Sequence, residues 1–599
     1  MTRPTTNFLG LLLGLASMTF SVAQAADVPA GGKSVLSADV TTALELAGAQ
    51  KQLGSAQAID VTGVPFSKAI RITTTTAPRN EWDVQVVALT AGDVKDGDVC
   101  LARFWMRCAD SMTGEGFTTF VFEESGGEYR KAKEFRIGAN KDWTEVNVPF
   151  VARRDFAAGK AHVAFRAGFE RQTIEIGGVE VLNFGPTAVK VDALPRTSIT
   201  YAGREPDAPW RAEAQARIEK YRKGELTIRV TDASGKPVEG ATVRARLVRH
   251  AFKFGTCVTA ELLTSDSPDA IKYRDFVEKH CNYAVFENDM KWPAMIDGVS
   301  PKTDQALAWL LERGIEVRGH NLHWPSWQWT PKPIAAYKDN PAELRRVCAN
   351  RVTSAVSHFR GKLACWDVVN EVYSNHDLID VLGGRDVLID WFKLAHEADP
   401  NCRLVLNDFG ILEGGRSSVH RQEFYDTIKW LKDSGAPIGG IGMQSHFGTA
   451  LPDPQQLVRV LDQFDALGLP IESTELSINL DDRDRALQAD YVRDYVTTLF
   501  SHPRVRGIML WGFWEKRHWR PQAALFAADW SIRPHGQAWL DLIEKSWTTD
   551  ASAQTDSSGS TTVRGFCGEY EITVTVDGKS QTVRATLGRE GATSNVTAG

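Results

Sequence analysis

From Lys253 onward this 599-residue chain repeats one texture eight times: a short apolar run that ends in polar or aromatic residues, followed by a stretch of helical spacing. The runs are KFGTCV, YAVFEND, EVRGHNLHW, ACWDVVNE, RLVLNDFG, GGIGMQSHF, PIESTELSI and GIMLWGFW. Near-continuous apolar strands alternating with helices need cover on both faces, which parallel strands wrapped by helices provide. Eight such units predict a (β/α)8 TIM barrel, a fold of about 250 residues plus insertions, here over residues 251–545. One intervening helix is expected from 304 to 313, with Leu307, Leu310 and Leu311 on its apolar face and Gly314 as its stop. In such barrels the C-terminal strand ends carry the chemistry. Here those ends collect Glu287, Asn288, His320, Asn370, Glu371, Asn407, Asp408, Gln444, His446, Glu475 and Trp511.

The rest of the chain has other textures, so the architecture is multidomain. Residues 1–25 carry Arg3, the run FLGLLLGLASMTF and Ala23-Gln24-Ala25. That is the pattern of a cleaved secretory signal peptide, which predicts a secreted or periplasmic protein with no membrane attachment after cleavage. Residues 27–187 alternate polar and apolar in short bursts between Gly, Asp and Asn turns, the pattern of a β-sandwich. Residues 188–223 read as a linker and a helix, with Asp207 as N-cap, Trp210, Ala214, Ile218 and Tyr221 on one face, and Gly224 as the stop. Residues 224–250 and 560–590 each hold two or three strands, too few to fold well alone. Pairing them predicts one small split β-sandwich with the barrel inserted between its halves. Residues 546–559 are polar and read as a linker.

Composition narrows the chemistry. The net charge of −6 and 24% charged residues give no basic patch for nucleic acid. Neither GxGxxG nor GxxxxGK[ST] occurs, nor does HExxH or a paired-Cys ligand set, so no nucleotide, cofactor or metal is expected. The eight cysteines are expected to be mostly buried thiols, with a Cys100–Cys108 bridge left open. Trp is abundant, and 13 of 18 fall between Trp292 and Trp539. Flat aromatic faces suit sugar rings and also fill cores. Glu371 ends the fourth strand and Glu475 the seventh, so in a closed barrel they face each other across the mouth. Paired carboxyls flanking a bond are the requirement of glycoside hydrolysis: one protonates the leaving oxygen, the other attacks or activates water.

The motifs WDVVNE (366–371), STEL (473–476), ENDMKW (287–292), RGHNLHW (318–324), GMQSH (442–446) and LWGFWEKRHW (510–519) occur in register. In them the chain resembles glycoside hydrolase family 10, the endo-β-1,4-xylanase family, over about half its length. The resemblance implies a retaining enzyme acting on xylan, with Glu371 as general acid/base and Glu475 as nucleophile. It implies that Asn370 bonds the sugar 2-hydroxyl and that His446 bonds Glu475. Glu287, Asn288, Lys291, His320 and Gln444 would hold the rings on the non-reducing side, with Trp324, Trp511 and Trp519 as stacking walls. Two other readings stay open: the same mechanism on another β-linked or decorated polysaccharide, and a non-catalytic polysaccharide-binding barrel. The N-terminal β region resembles a jelly-roll carbohydrate-binding module, in which Trp82, Trp105 and Trp143 either stack on sugar or fill the core. The split strands (GKPVEGATV and GEYEITV) resemble a transthyretin-like domain.

The chain also departs from the family pattern. Ser477 stands where the family has an aspartate in the histidine network, which implies a shifted pH optimum. Trp324 is followed by Pro325, Ser326 and Trp327, so a neighbouring histidine is missing from its usual place, and substitution by His323 is left open. The loop after ENDMKW is shortened to PAMIDGVSPKTD, and Trp327 and Trp329 are added at the third loop.

Overall fold

A computed structural model describes residues 28–111, 114–413, 418–480 and 484–598. The predicted signal peptide lies outside the described residues. Eight parallel strands close into a barrel: Lys253–Val258, Tyr283–Phe286, Glu316–Gly319, Cys365–Asn370, Arg403–Asp408, Gly440–Met443, Ile471–Ile478 and Val505–Leu510. Closure runs through the pairing of the first strand with the last, Lys253 opposite Gly507 and Thr256 opposite Leu510. The ring of helices packs its apolar faces on these strands, and the core they form is the largest in the molecule, with Trp366, Trp391 and Trp539 fully buried. The helix expected from 304 runs Pro301–Glu312, started by the Ser300 hydroxyl accepting from the Lys302 N–H and by Pro301 in its first turn. Leu307 and Leu310 are buried, but Leu311 is exposed, because 3.6-residue periodicity turns it away from the strands.

The barrel interior is not wholly apolar. Arg318, on the third strand, is 1% exposed and donates from Nε to Asp367 at 2.9 Å and from Nη1 to Glu472 at 2.6 Å. Arg403 also bonds Glu472, and the His320 ring bonds Asp367. A buried ion cluster adds little net stability, yet removing one member strands the rest. Arg318→Met should therefore lower barrel stability by about 3–5 kcal/mol, read as a downshift of the barrel transition in calorimetry. A loss below about 1 kcal/mol would mean that water or rearrangement takes over the guanidinium's role.

Residues before the barrel form two antiparallel sheets packed face to face. One orders Gly54–Asp60, Lys68–Thr74, Gln172–Asn183, Val99–Ser111 and Thr144–Val151; the other orders Glu45–Ala47, Gln85–Leu89, Ala161–Arg166, Gly116–Glu124 and Lys131–Ala139. Phe104, Phe120, Phe122 and Phe165 fill the space between them. Trp105 and Trp143 are half-buried against Phe66, and Trp82 is 47% exposed with Arg166 over its ring. Cys100 and Cys108 are free thiols. They lie eight residues apart on one strand, which at about 3.3 Å per residue is far beyond the ~7 Å that a bridge spans.

Three other sequence expectations change. The helix of the connecting segment runs Trp210–Tyr221 with Pro209 as its N-cap and does not reach Asp207, since a proline disfavours the α conformation at the residue before it. Gly224 is not its stop but part of the strand Lys223–Thr231, where a Cβ would meet the Gly588 carbonyl at 2.2 Å. Residues 546–559 are not all linker: Asp550–Gln554 is a strand paired with Thr242–His250. In this part of the molecule Lys223–Thr231 pairs with Ser560–Phe566 and, in parallel, with Ala592–Thr597. Thr242–His250 pairs with Gly568–Val576. Ile228, Val230, Ile572 and Val574 share one buried cluster between the two sheets. No helix among the described residues is long and apolar enough to cross a membrane.

Candidate active site

The fourth strand ends at Asn370, and Glu371 turns off it with φ of +56°. A side chain other than glycine takes that left-handed conformation only where its surroundings hold it, which happens most often at functional sites. The Glu371 N–H still donates to the Asn407 carbonyl at 2.8 Å, so the carboxyl leaves the sheet at a fixed point on its rim. Oε1 accepts from Gln444 at 2.8 Å, and Oε2 from Trp324 Nε1 at 3.1 Å and Asn375 at 3.2 Å. Burial penalises the charged form most; the Gln444 and Trp324 donors oppose it, and the nearby charges of Asp408 and Glu475 reinforce it. The result is a carboxyl pushed up to about 8.

Glu475 lies inside the seventh strand and is buried, yet it is held below the usual carboxylate range. Burial alone would raise it; the hydrogen bond with His446 and the electrostatic influence of His320, His446 and Lys291 outweigh that. Its Oε2 meets His446 Nε2 at 3.2 Å, and its Oε1 accepts from Asn407 at 2.9 Å. His446 is fixed in turn by Ser477, whose hydroxyl is 2.8 Å from Nδ1, and by Glu413, which accepts its backbone N–H at 2.9 Å. Ser477 thus keeps a hydrogen bond to the histidine without bringing a negative charge near Glu475.

The two carboxyls are joined by amides. Gln444 donates to Glu371 and, at 3.4 Å, to Asn370 Oδ1; Asn407 donates to the same Asn370 oxygen at 2.8 Å and to Glu475. The Thr474 hydroxyl donates to Asn407 Oδ1 at 2.7 Å and sets the direction of its NH2. Asn370 is 1% exposed, with its own NH2 aimed at Glu371, 3.4 Å away. Asn407 enters the sequence reading only as one polar strand end among many, and Asn375 and Glu413 not at all. Their signal, a polar residue closing an apolar strand or following one, is too common to single them out.

Around the carboxyls stand the other expected residues. Lys291 bonds Asn288 at 3.0 Å and lies over the rings of Trp324 and Trp511 at 5.3 and 6.0 Å. Burial pushes Lys291 down and Glu287 up. His320 is buried, with its ring edge toward Trp511 and Nδ1 2.9 Å from Asp367. Trp324 stacks flat on Trp329, centroids 4.1 Å apart, so the added tryptophan extends an aromatic wall. Trp511 is nearly buried and Trp519 is half-exposed, edge-on to His446 at 4.8 Å. His323 does not join the site. Its ring is buried between Trp292 and Trp391, and burial pushes it down to about 3, so it stays neutral. Among the described residues no group of three His, Cys, Asp or Glu side chains is arranged to hold a metal ion.

One carboxyl that keeps its proton and one that sheds it, held over an aromatic mouth, meet the chemical demands of glycosidic bond cleavage. The architecture is that of a (β/α)8-barrel glycoside hydrolase. Residues 244–541 match the family profile described as glycosyl hydrolase family 10, and the chain belongs to that family. It is similar to the anti-sigma-I factor RsgI6 of Acetivibrio thermocellus, 37% identical over 393 residues that cover 65% of this chain and 49% of that protein. It is also similar to endo-1,4-beta-xylanase 1 of Arabidopsis thaliana, 31% identical over 370 residues, 61% of this chain and 38% of that protein. The chain therefore spans half or less of the length of these relatives. Native xylanase 10B from Thermotoga maritima superposes over 49% of this chain and 96% of its own, with 27% identity and a TM-score of 0.45.

Proposed function

We propose that this protein is a secreted endo-β-1,4-xylanase that cleaves xylan with retention of anomeric configuration. The observation that carries the reading is the opposite ionisation of Glu371 and Glu475 within one hydrogen-bonded network. Glu371 donates its proton to the glycosidic oxygen as Glu475 attacks the anomeric carbon; the C–O bond breaks, the shortened chain leaves as an alcohol, and a glycosyl ester forms on Glu475. Glu371, now ionised, takes a proton from water, the hydroxide adds to the anomeric carbon, and Glu475 leaves as carboxylate. In this reading Asn370, bonded through Asn407 to Glu475, meets the 2-hydroxyl as positive charge develops on the ring. The xylanase name of a sequence relative supports the substrate class, and the leader pattern of residues 1–25 supports export.

The test is product chromatography and a pH–rate profile on glucuronoxylan, arabinoxylan and mixed-linkage glucan. Xylo-oligosaccharides released with retained anomers, followed by NMR, are the expected result. Catalysis needs Glu371 protonated, so rates should fall as pH passes about 8. Glu475 must be ionised, so the acid limb should lie below the ordinary carboxylate range. Products from the glucan alone, or a rate that climbs steadily above pH 8, would overturn the reading.

A further inference from the structure

The N-terminal sandwich touches the barrel on the catalytic rim. The Arg136 carbonyl accepts from the Thr449 hydroxyl at 2.8 Å, and the Phe169 carbonyl accepts the Ser418 N–H at 3.2 Å. Arg79 bonds Tyr373 in both directions: Nη2 donates to the Tyr373 carbonyl at 2.5 Å, and the Tyr373 hydroxyl donates to the Arg79 carbonyl at 2.6 Å. These barrel residues follow the fourth, fifth and sixth strands, whereas Lys291, His320 and Trp511 follow the second, third and eighth.

Tyr373 is two residues beyond Glu371. The Arg79 guanidinium lies over its ring at 4.6 Å, and the His420 ring stacks on it at 3.8 Å and 9°. Two groups that close to one centroid cannot share a face, so the phenol is held between them. His420 Nε2 is 3.2 Å from Asp408 Oδ1, and Asp408 Oδ2 accepts the Tyr373 N–H at 3.4 Å. The inner end of this segment is tied by the Glu371 N–H to Asn407 and by the Asn375 N–H to the Glu371 carbonyl at 3.0 Å. Its outer end is tied by Arg79.

We propose that Arg79 is a positioning residue for Glu371: the sandwich clasps the acid/base loop through Tyr373 and keeps the left-handed turn and the sheltered carboxyl in place. The inference rests on the proposed function for its kinetic consequence only. Without the clasp, residues 372–375 lose their outer anchor, water reaches Glu371, and its acidity moves back toward that of an ordinary carboxyl. The direction is diagnostic. Simple loss of a nearby positive charge would make Glu371 harder to ionise, whereas loss of shelter makes it easier. The other charged groups facing Glu371 are Asp408 from the fifth strand, Glu475 from the seventh and Lys291 beyond the second.

The experiment compares full-length wild type with Arg79→Ala, Arg79→Lys and Tyr373→Phe. On xylo-oligosaccharides Arg79→Ala should lose about tenfold in kcat and its alkaline limb should move to lower pH. On an aryl xyloside with a good leaving group, where protonation matters little, it should stay near wild type. Arg79→Lys, which keeps charge and a donor, should restore most of the loss, and Tyr373→Phe should show a smaller change in the same direction. The Glu371 titration, followed by ¹³C NMR of labelled glutamate and assigned with Glu371→Gln, should move down in Arg79→Ala whether or not xylan is the substrate. An unmoved or raised Glu371 titration, or equal losses on both substrates, would overturn the clasp. A wild type that leaves xylo-oligosaccharides intact would overturn the proposed function alone, with the NMR titration still deciding on Arg79.

Discussion

Glu475→Gln is expected to lower xylan turnover by about a thousandfold or more while leaving polysaccharide binding intact. The substitution is close to isosteric. Its amide oxygen can keep the hydrogen bond from Asn407, and its NH2 can donate to His446 Nε2 when the neutral ring carries its proton on Nδ1, toward the Ser477 oxygen, so the network that aligns Asn370 is retained. What is lost is the negative charge that attacks the anomeric carbon, and nothing else in the mouth is placed to replace it: Glu371 keeps its proton through neutral pH. Single-turnover kinetics with a fluoride leaving group should show no burst of glycosyl-enzyme. Unchanged binding by calorimetry would separate this from a folding defect, and near-normal turnover would refute the nucleophile assignment.

Glu371→Ala should show a loss that depends on the leaving group. On xylan, whose leaving alcohol needs a proton, general acid catalysis contributes about 10²- to 10⁴-fold, and that much should disappear. On an aryl xyloside with an acidic phenol the first step should run near its normal rate, with only deglycosylation slowed by the missing base. The alkaline limb should vanish, because the group pushed up to about 8 is gone. Equal losses on natural and activated substrates would mean that the residue shapes the site without moving a proton.

Much of the barrel is readable from local pattern. KFGTCV coincides with Lys253–Val258, since a strand buried on both faces leaves an unbroken apolar run between polar ends. Ends set by non-local contact are less legible. Gly224 reads as a helix stop by residue type, but antiparallel pairing with Gly565, more than 300 residues away in the chain, makes it part of a sheet. Asp550–Gln554 reads as linker because its exposed alternation is polar, and only the neighbouring strand Thr242–His250 gives it a partner. His323 occupies a suggestive place in its motif, but its ring lies in the core between two tryptophans that the motif itself does not reveal as neighbours.

The amino-acid sequence by itself determined that eight strands alternate with helices, that Glu371 and Glu475 terminate or lie in two of them, and that the surrounding motifs belong to one family. Those properties depend on residues two to four positions apart, and the chain carries them wherever it goes. Only the tertiary structure decided how the glutamates differ. Burial and the Asp408 and Glu475 charges raise one, while His446, His320 and Lys291 lower the other. Asn407 joins them from a third strand, and Arg79 reaches the acid's loop from a separate domain. An acidity reflects the charges, donors and solvent within a few ångströms, and closing the barrel and docking the sandwich brought those neighbours together from distant parts of the chain.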